Sequence, residues 1–184
     1  MIRQRLEPGK ARFLMVDIQA KLLPLISNTD EVLKNSVRLL KLASVLDIQV
    51  DYTEQNPKGL GGTAPELLQE MPQRNSLFEK VHFCCGAEPG FDRLIGKVHG
   101  EVIVIWGIEA HICLLGTVMD LIERGHPVIV AADASGSRNK NSADLAFDAM
   151  RDWGALVLPT ETIVYHLLDR SGTDDFKKML PLFK

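Results

Sequence analysis

The chain of 184 residues is 46% hydrophobic and 24% charged, with a formal net charge of −3, which excludes disordered and fibrous classes. Its Lys and Arg residues are scattered without a run or stripe, so a small-molecule substrate is expected as partner, with no nucleic acid and no membrane surface. No apolar run approaches the roughly 18 residues of a membrane helix, the first residues carry no apolar signal core, and the few cysteines make no disulfide framework, so a cytoplasmic location is expected.

Arg12-Phe13-Leu14-Met15-Val16-Asp17 reads as a buried strand. Val32, Leu33, Ser36, Val37, Leu40, Ala43 and Val45 then lay a stripe at the i, i+3, i+4 spacing of a helix. Ile48 to Thr53 is a second strand. The glycine-rich stretch Asn56 to Thr63 predicts a loop, and Ala64 to Glu70 a short helix with Pro65 in its first turn. Ser76-Leu77-Phe78 is extended and runs into Glu79-Lys80. Val102-Ile103-Val104-Ile105-Trp106 is a solid apolar run of the kind buried in the middle of a parallel sheet, and Gly107 ends it. Helical periodicity from Ala110 to Arg124 closes at Gly125, where a glycine cap is expected. Strand Val128 to Ala132, helix Asn141 to Trp153, strand Ala155 to Leu158 and helix Thr160 to Leu168 follow, with a last short helix within Asp174 to Lys184. This alternation predicts an α/β fold, a three-layer αβα sandwich around a central, mostly parallel sheet, because each right-handed crossover needs a helix to return the chain. No repeat or linker divides the sequence, so one domain over residues 1–184 is expected.

In open parallel sheets ligands bind beyond the carboxyl ends of the strands, which makes strand endings the place to look for chemistry. Asp17 closes the first strand, Lys80 ends the extended segment before it, and Cys113 lies past the strand ending at Trp106. Cys113 sits where Gly107 to Ile112 enters a helix, so the helix dipole and free amides there favour thiolate. Lys80 would act in the same direction, whereas Asp17 would oppose it unless its carboxylate takes the proton as a base. Taken singly, each residue also has a plain structural reading: a small core cysteine, a turn-closing aspartate, a solvated lysine. None of His82, His99, His111, His126 and His166 has a partner at an established ligand spacing, and Cys84-Cys85 lacks the two-residue gap of metal and redox motifs. No metal and no cofactor are expected. A phosphate-binding glycine motif is also missing after the first strand, where Asp17-Ile18-Gln19-Ala20-Lys21 stands.

The order and context of these residues resemble the isochorismatase-like superfamily of cysteine hydrolases. The most specific stretch is Val104 to Cys113, continued by Thr117, Asp120-Leu121, Arg124-Gly125 and Ala132-Asp133-Ala134, with Val16-Asp17-Ile18-Gln19 and Glu79-Lys80 as the other motifs. The resemblance implies a triad in which Cys113 is the nucleophile, Asp17 the general base, and Lys80 the cation that holds the pair. It also implies a cis peptide at Ile108-Glu109 that aims the amides of Glu109 and Cys113 at the substrate oxygen as an oxyanion hole. The implied reaction is hydrolysis of a small amide, ureide or related acyl compound through a thioester, on a homo-oligomer; the alternative is a silent small-molecule-binding or regulatory protein on the same fold. Retention of the cysteine argues against isochorismate cleavage itself. Where nicotinamidases carry metal-binding histidines this chain has Asp51-Tyr52-Thr53-Glu54-Gln55-Asn56-Pro57, closer to the uncharacterised hydrolase branch. Gln19, Gln55, Phe83 and His111 are the candidate substrate contacts.

Overall fold

The computed structural model describes residues 6–95 and 100–184; His99 and the first five residues, both read above, lie outside the described residues. Among the described residues six strands, β1 Ala11–Val16, β2 Val50–Gln55, β3 Asn75–Lys80, β4 Val102–Gly107, β5 Val128–Ala131 and β6 Leu156–Leu158, form one sheet in the order β3-β2-β1-β4-β5-β6. Every neighbouring pair runs parallel. The helices are α1 Thr29–Leu46, α2 Pro57–Leu60, α3 Pro65–Leu68, α4 Phe91–Ile95, α5 Leu115–Glu123, α6 Lys140–Trp153, α7 Thr160–Leu168 and α8 Asp174–Met179.

Alternation along the central strands divides the apolar residues between two cores, because successive side chains of a strand point to opposite faces. Phe13, Met15, Val104 and Trp106 face Leu39, Leu40 and Ala43 of α1 and Ile163, Val164 and Leu167 of α7. On the other face, Leu14, Val16, Ile103 and Ile105 meet Val118 and Leu121 of α5 and Ala143, Ala146 and Met150 of α6. Each large apolar side chain fully withdrawn from water in this way contributes about 1.5–3 kcal/mol. Trp106 packs edge-on against Phe13 with ring centroids 5.7 Å apart, and its indole N–H donates to Ser36 Oγ at 3.1 Å, which explains the one polar residue in the stripe of α1.

This strand order places the topological switch between β1 and β4, and the crevice of such sheets opens at the carboxyl ends there. The two strands come unusually close at that end. Gly107 has φ +143°, and a Cβ there would lie 2.0 Å from the Val16 carbonyl oxygen, so only glycine fits.

Three local features depart from the sequence reading. Within the predicted loop, Asn56 in a left-handed conformation and Pro57 at the first helical position start the single turn α2. Helix α4 was not anticipated, since its five residues are too few to display a period. The predicted helix from Ala110 opens with a widened turn, in which the Leu114 amide reaches the Glu109 carbonyl at 3.3 Å, before α5 begins.

Candidate active site

The first residue beyond β1 is Asp17, held in the left-handed region at φ +53° and fully buried. Its amide donates to the Thr53 carbonyl at 3.2 Å, and its own carbonyl accepts from the Gln19 amide at 2.7 Å. These bonds turn the carboxylate back over the sheet end. Lys80, the last residue of β3, reaches across the end of β2 to place Nζ 2.6 Å from Asp17 Oδ2, with both side chains fully shielded from water. The intervening strand supplies the spacers. Thr53 Oγ1 donates to Asp17 Oδ1 at 2.6 Å, and Gln55 Oε1 accepts from Lys80 Nζ at 2.7 Å. Lys80 Nζ also donates to the carbonyls of His82 and Phe83, each at 3.2 Å. An ammonium has three N–H donors, so these four acceptors fully occupy it.

Cys113 comes to the same carboxylate from the switch-point side: it is 6% exposed, and the Asp17 side chain acts on its thiol. Burial above all, and then the Asp17 charge, push the Cys113 thiol up to about 12, against the opposing pull of Lys80. The expectation of a resting thiolate is therefore corrected. The sequence shows a helix entry but not the desolvation of the sulfur, and desolvation wins. What rests here is a neutral thiol beside a carboxylate, the arrangement of a nucleophile with its base rather than of a pre-ionised sulfur. Burial opposes the Lys80 ammonium, but the Asp17 charge and its hydrogen bond outweigh it and the pKa of Lys80 is raised.

The Ile108–Glu109 peptide is cis. The Glu109 carbonyl accepts the amides of Ile112 and Leu114, which flank that of Cys113, and its carboxylate accepts from the backbone amide and Nε of Arg138 at 3.0 and 3.1 Å. Gln19 is fully buried: its Nε2 donates to the Gln55 and Gly61 carbonyls at 3.0 and 2.6 Å, and its Oε1 accepts the Gln55 amide at 2.8 Å. Gln55 Nε2 donates to the Val81 carbonyl at 2.7 Å, so this side chain braces Lys80 against the strand end. Phe83 lies exposed at the outer side of the Lys80 cage, and half-buried His111 pairs through Nδ1 with Ser137 Oγ at 2.9 Å.

Sequence reasoning missed Thr53, whose hydroxyl signal was hidden in an otherwise ordinary strand. It also missed buried Cys85, whose thiol burial pushes up to about 12 and whose amide donates to Thr117 Oγ1 at 3.1 Å, while that hydroxyl in turn donates to the Cys113 carbonyl at 2.7 Å. All three cysteines are free. Clefts of about 460 and 390 Å³ lie away from the triad, one against β6 and α7, the other between the start of α1 and α6; their linings are not the residues with the chemistry. Among the described residues no helix is long and apolar enough to cross a membrane, and no cluster of three or more potential metal ligands occurs.

The isochorismatase domain family model matches residues 11–162, which spans every residue of this site. The chain belongs to the isochorismatase-like hydrolase family. It is 33% identical to isochorismatase family protein 1A of Dictyostelium discoideum over 96% of this chain and 87% of that one. With human isochorismatase domain-containing protein 2 the identity is 32%, over 98% and 86% of the two chains. Among solved structures, the MAR1 ribonuclease from Caenorhabditis elegans superimposes with a TM-score of 0.89 at 33% identity, covering 97% of this chain and 92% of that one. The YcaC gene product of Escherichia coli, described as an octameric hydrolase of unknown specificity, shares the fold with a TM-score of 0.90 at 23% identity, covering 99% and 92%.

Proposed function

We propose that this member of the family is a cysteine-dependent hydrolase of small amides, ureides or related acyl compounds. The observation that carries the reading is the buried Cys113 thiol under the influence of Asp17, whose carboxylate is fixed by Lys80 and Thr53. The thiol proton passes to Asp17 as sulfur forms a bond to the carbonyl carbon. Asp17 then protonates the leaving nitrogen as the C–N bond breaks, leaving a thioester on Cys113. Water, deprotonated by Asp17, attacks that thioester, the C–S bond breaks, and the carboxylic product leaves with the thiol restored.

Lys80 keeps the base in place rather than binding substrate, since its donors are already engaged within the protein. The amides of Glu109 and Cys113 are assigned to the developing oxyanion, an interaction whose loss typically costs about 10²–10³ in rate. Phe83 and His111 stand at the rim as substrate contacts, and Gln19 and Gln55 support the site from beneath. A homo-oligomer in a reducing cytoplasm completes the reading, supported by the octamer described for the E. coli neighbour and by three free cysteines.

The test is release of ammonia or amine from a panel of small amides and ureides by the wild type and Cys113→Ala. Turnover of at least one compound, abolished in the variant, is expected; turnover that survives the substitution sinks the proposal, and no turnover across the panel favours the silent binding protein. The name of the C. elegans neighbour favours a second reading, RNA hydrolysis. Binding a phosphodiester calls for free cations, and the cation at this site is fully engaged, so the acyl reading is preferred. Cleavage of a labelled RNA that disappears in Cys113→Ala would reverse that preference.

A further inference from the structure

We infer that Thr53 is a positioning residue for the general base, fixing which part of the Asp17 carboxylate is left to face the thiol. The inference deepens the proposed cysteine hydrolase and rests on it. Thr53 lies in β2 opposite Val16 on one side and Phe78 on the other, and is 1% exposed. Nothing about the interior of a parallel sheet calls for a hydroxyl there; valine has nearly the same shape, and strand interiors favour it. The hydroxyl is present and directed: Oγ1 donates to Asp17 Oδ1 at 2.6 Å, within the short range of charge-assisted bonds.

A carboxylate offers about four lone-pair directions. Lys80 takes one on Oδ2 and Thr53 takes one on Oδ1, from opposite ends of the group, so it can neither rotate nor tilt away from Cys113. Two features make this donor rigid. A β-branched side chain has few χ1 choices, and the end of β2 is pinned to the Asp17 turn by the Gln19 side chain, which bonds both the amide and the carbonyl of Gln55. Asp17 and Thr53 also share a backbone bond at 3.2 Å, so base and donor move as one unit.

Two variants separate positioning from packing. Thr53→Val removes the donor and keeps the shape; Thr53→Ser keeps the donor and removes the methyl group. With p-nitrophenyl acetate as probe, acylation forms the S–C bond at Cys113, transfers the thiol proton to Asp17 and releases p-nitrophenolate. Thr53→Val should slow this step about ten- to a hundredfold, the span of a hydrogen bond to a charged group, while Thr53→Ser stays within about threefold of the wild type. Thermal stability is lowered in both variants, by the unsatisfied buried carboxylate oxygen in Thr53→Val and by a small void in Thr53→Ser, so the acylation rate is the readout that separates them. A purely structural Thr53 would make serine no faster than valine in acylation. If Thr53→Val acylates at the wild-type rate, the inference is overturned and the hydrolase reading stands. If the wild type itself is not acylated at Cys113, the hydrolase reading falls and the inference with it.

Discussion

Replacing Asp17 by Asn separates the two things that this carboxylate does to Cys113. In the resting site its charge holds the thiol protonated, while Lys80 pulls the other way; burial remains the larger cause of a value of about 12. Asparagine keeps the shape, removes the charge and cannot serve as base, and Lys80 is left facing the sulfur without its counter-ion. The thiol pKa should therefore fall. Each unit of that fall multiplies the thiolate fraction near neutral pH about tenfold, and the accompanying loss of intrinsic nucleophilicity takes back about threefold, so alkylation by iodoacetamide rises about threefold per unit. Turnover should drop by about 10²–10⁴, the usual contribution of a positioned base. Intact mass and peptide mapping would follow Cys113 against half-buried Cys84 as an internal control, at a temperature where circular dichroism shows the variant folded. A folded Asp17→Asn protein whose Cys113 alkylates no faster than in the wild type would show that Asp17 does not hold the thiol protonated.

Lys80→Met leaves the fully buried Asp17 side chain without its cation and should cost about 3–5 kcal/mol in urea unfolding, part of it recovered in Asp17→Asn/Lys80→Met; a cost below about 1 kcal/mol contradicts the buried pair. Gly107→Ala drives a Cβ to 2.0 Å from the Val16 carbonyl and should abolish soluble expression, whereas Gly125→Ala, at φ +88° with open space around it, should cost only about 1–3 kcal/mol. Cys85 and Cys113 both titrate near 12 when folded against a reference of 9.0, so the native state keeps protons that the unfolded chain releases. That stability is complete below the unfolded value and is lost as pH rises toward the folded one, so unfolding free energy should fall above about pH 9 by up to about 1.4 kcal/mol per unit for each thiol. Cys85→Ala should reduce the slope, and a flat profile across that range would contradict the buried neutral thiols.

The architecture was legible because its signals are local. Val102 to Trp106 could only be a covered strand, and Gly125 and Gly154, both with positive φ, close α5 and α6 where the periodicity stops. Asp17 and Lys80 were legible as strand endings, and the motif around Cys113 supplied the third residue. What could not be read was distance across the sheet. Thr53 is 36 residues from Asp17 and meets it only because β2 lies beside β1, and Gln55 meets Lys80 only because β3 lies beside β2. The ionisation of Cys113 was misjudged for the same reason: a helix start is visible in sequence, whereas the shell of β1, α5 and the Cys85 segment that excludes water from the sulfur is assembled from remote parts of the chain. Short elements such as α2 and α4 escaped because a single turn has no period.

The covalent step at Cys113 is tested directly by quenching the protein during p-nitrophenyl acetate hydrolysis and mapping the acyl group by mass spectrometry. One acetyl group per chain should appear on the Cys113 peptide, sensitive to hydroxylamine as a thioester is, and should be absent from Cys113→Ala. An unmodified Cys113 peptide in a protein that is turning over the ester, or hydrolysis undiminished in Cys113→Ala, would contradict a cysteine nucleophile in the turn between β4 and α5.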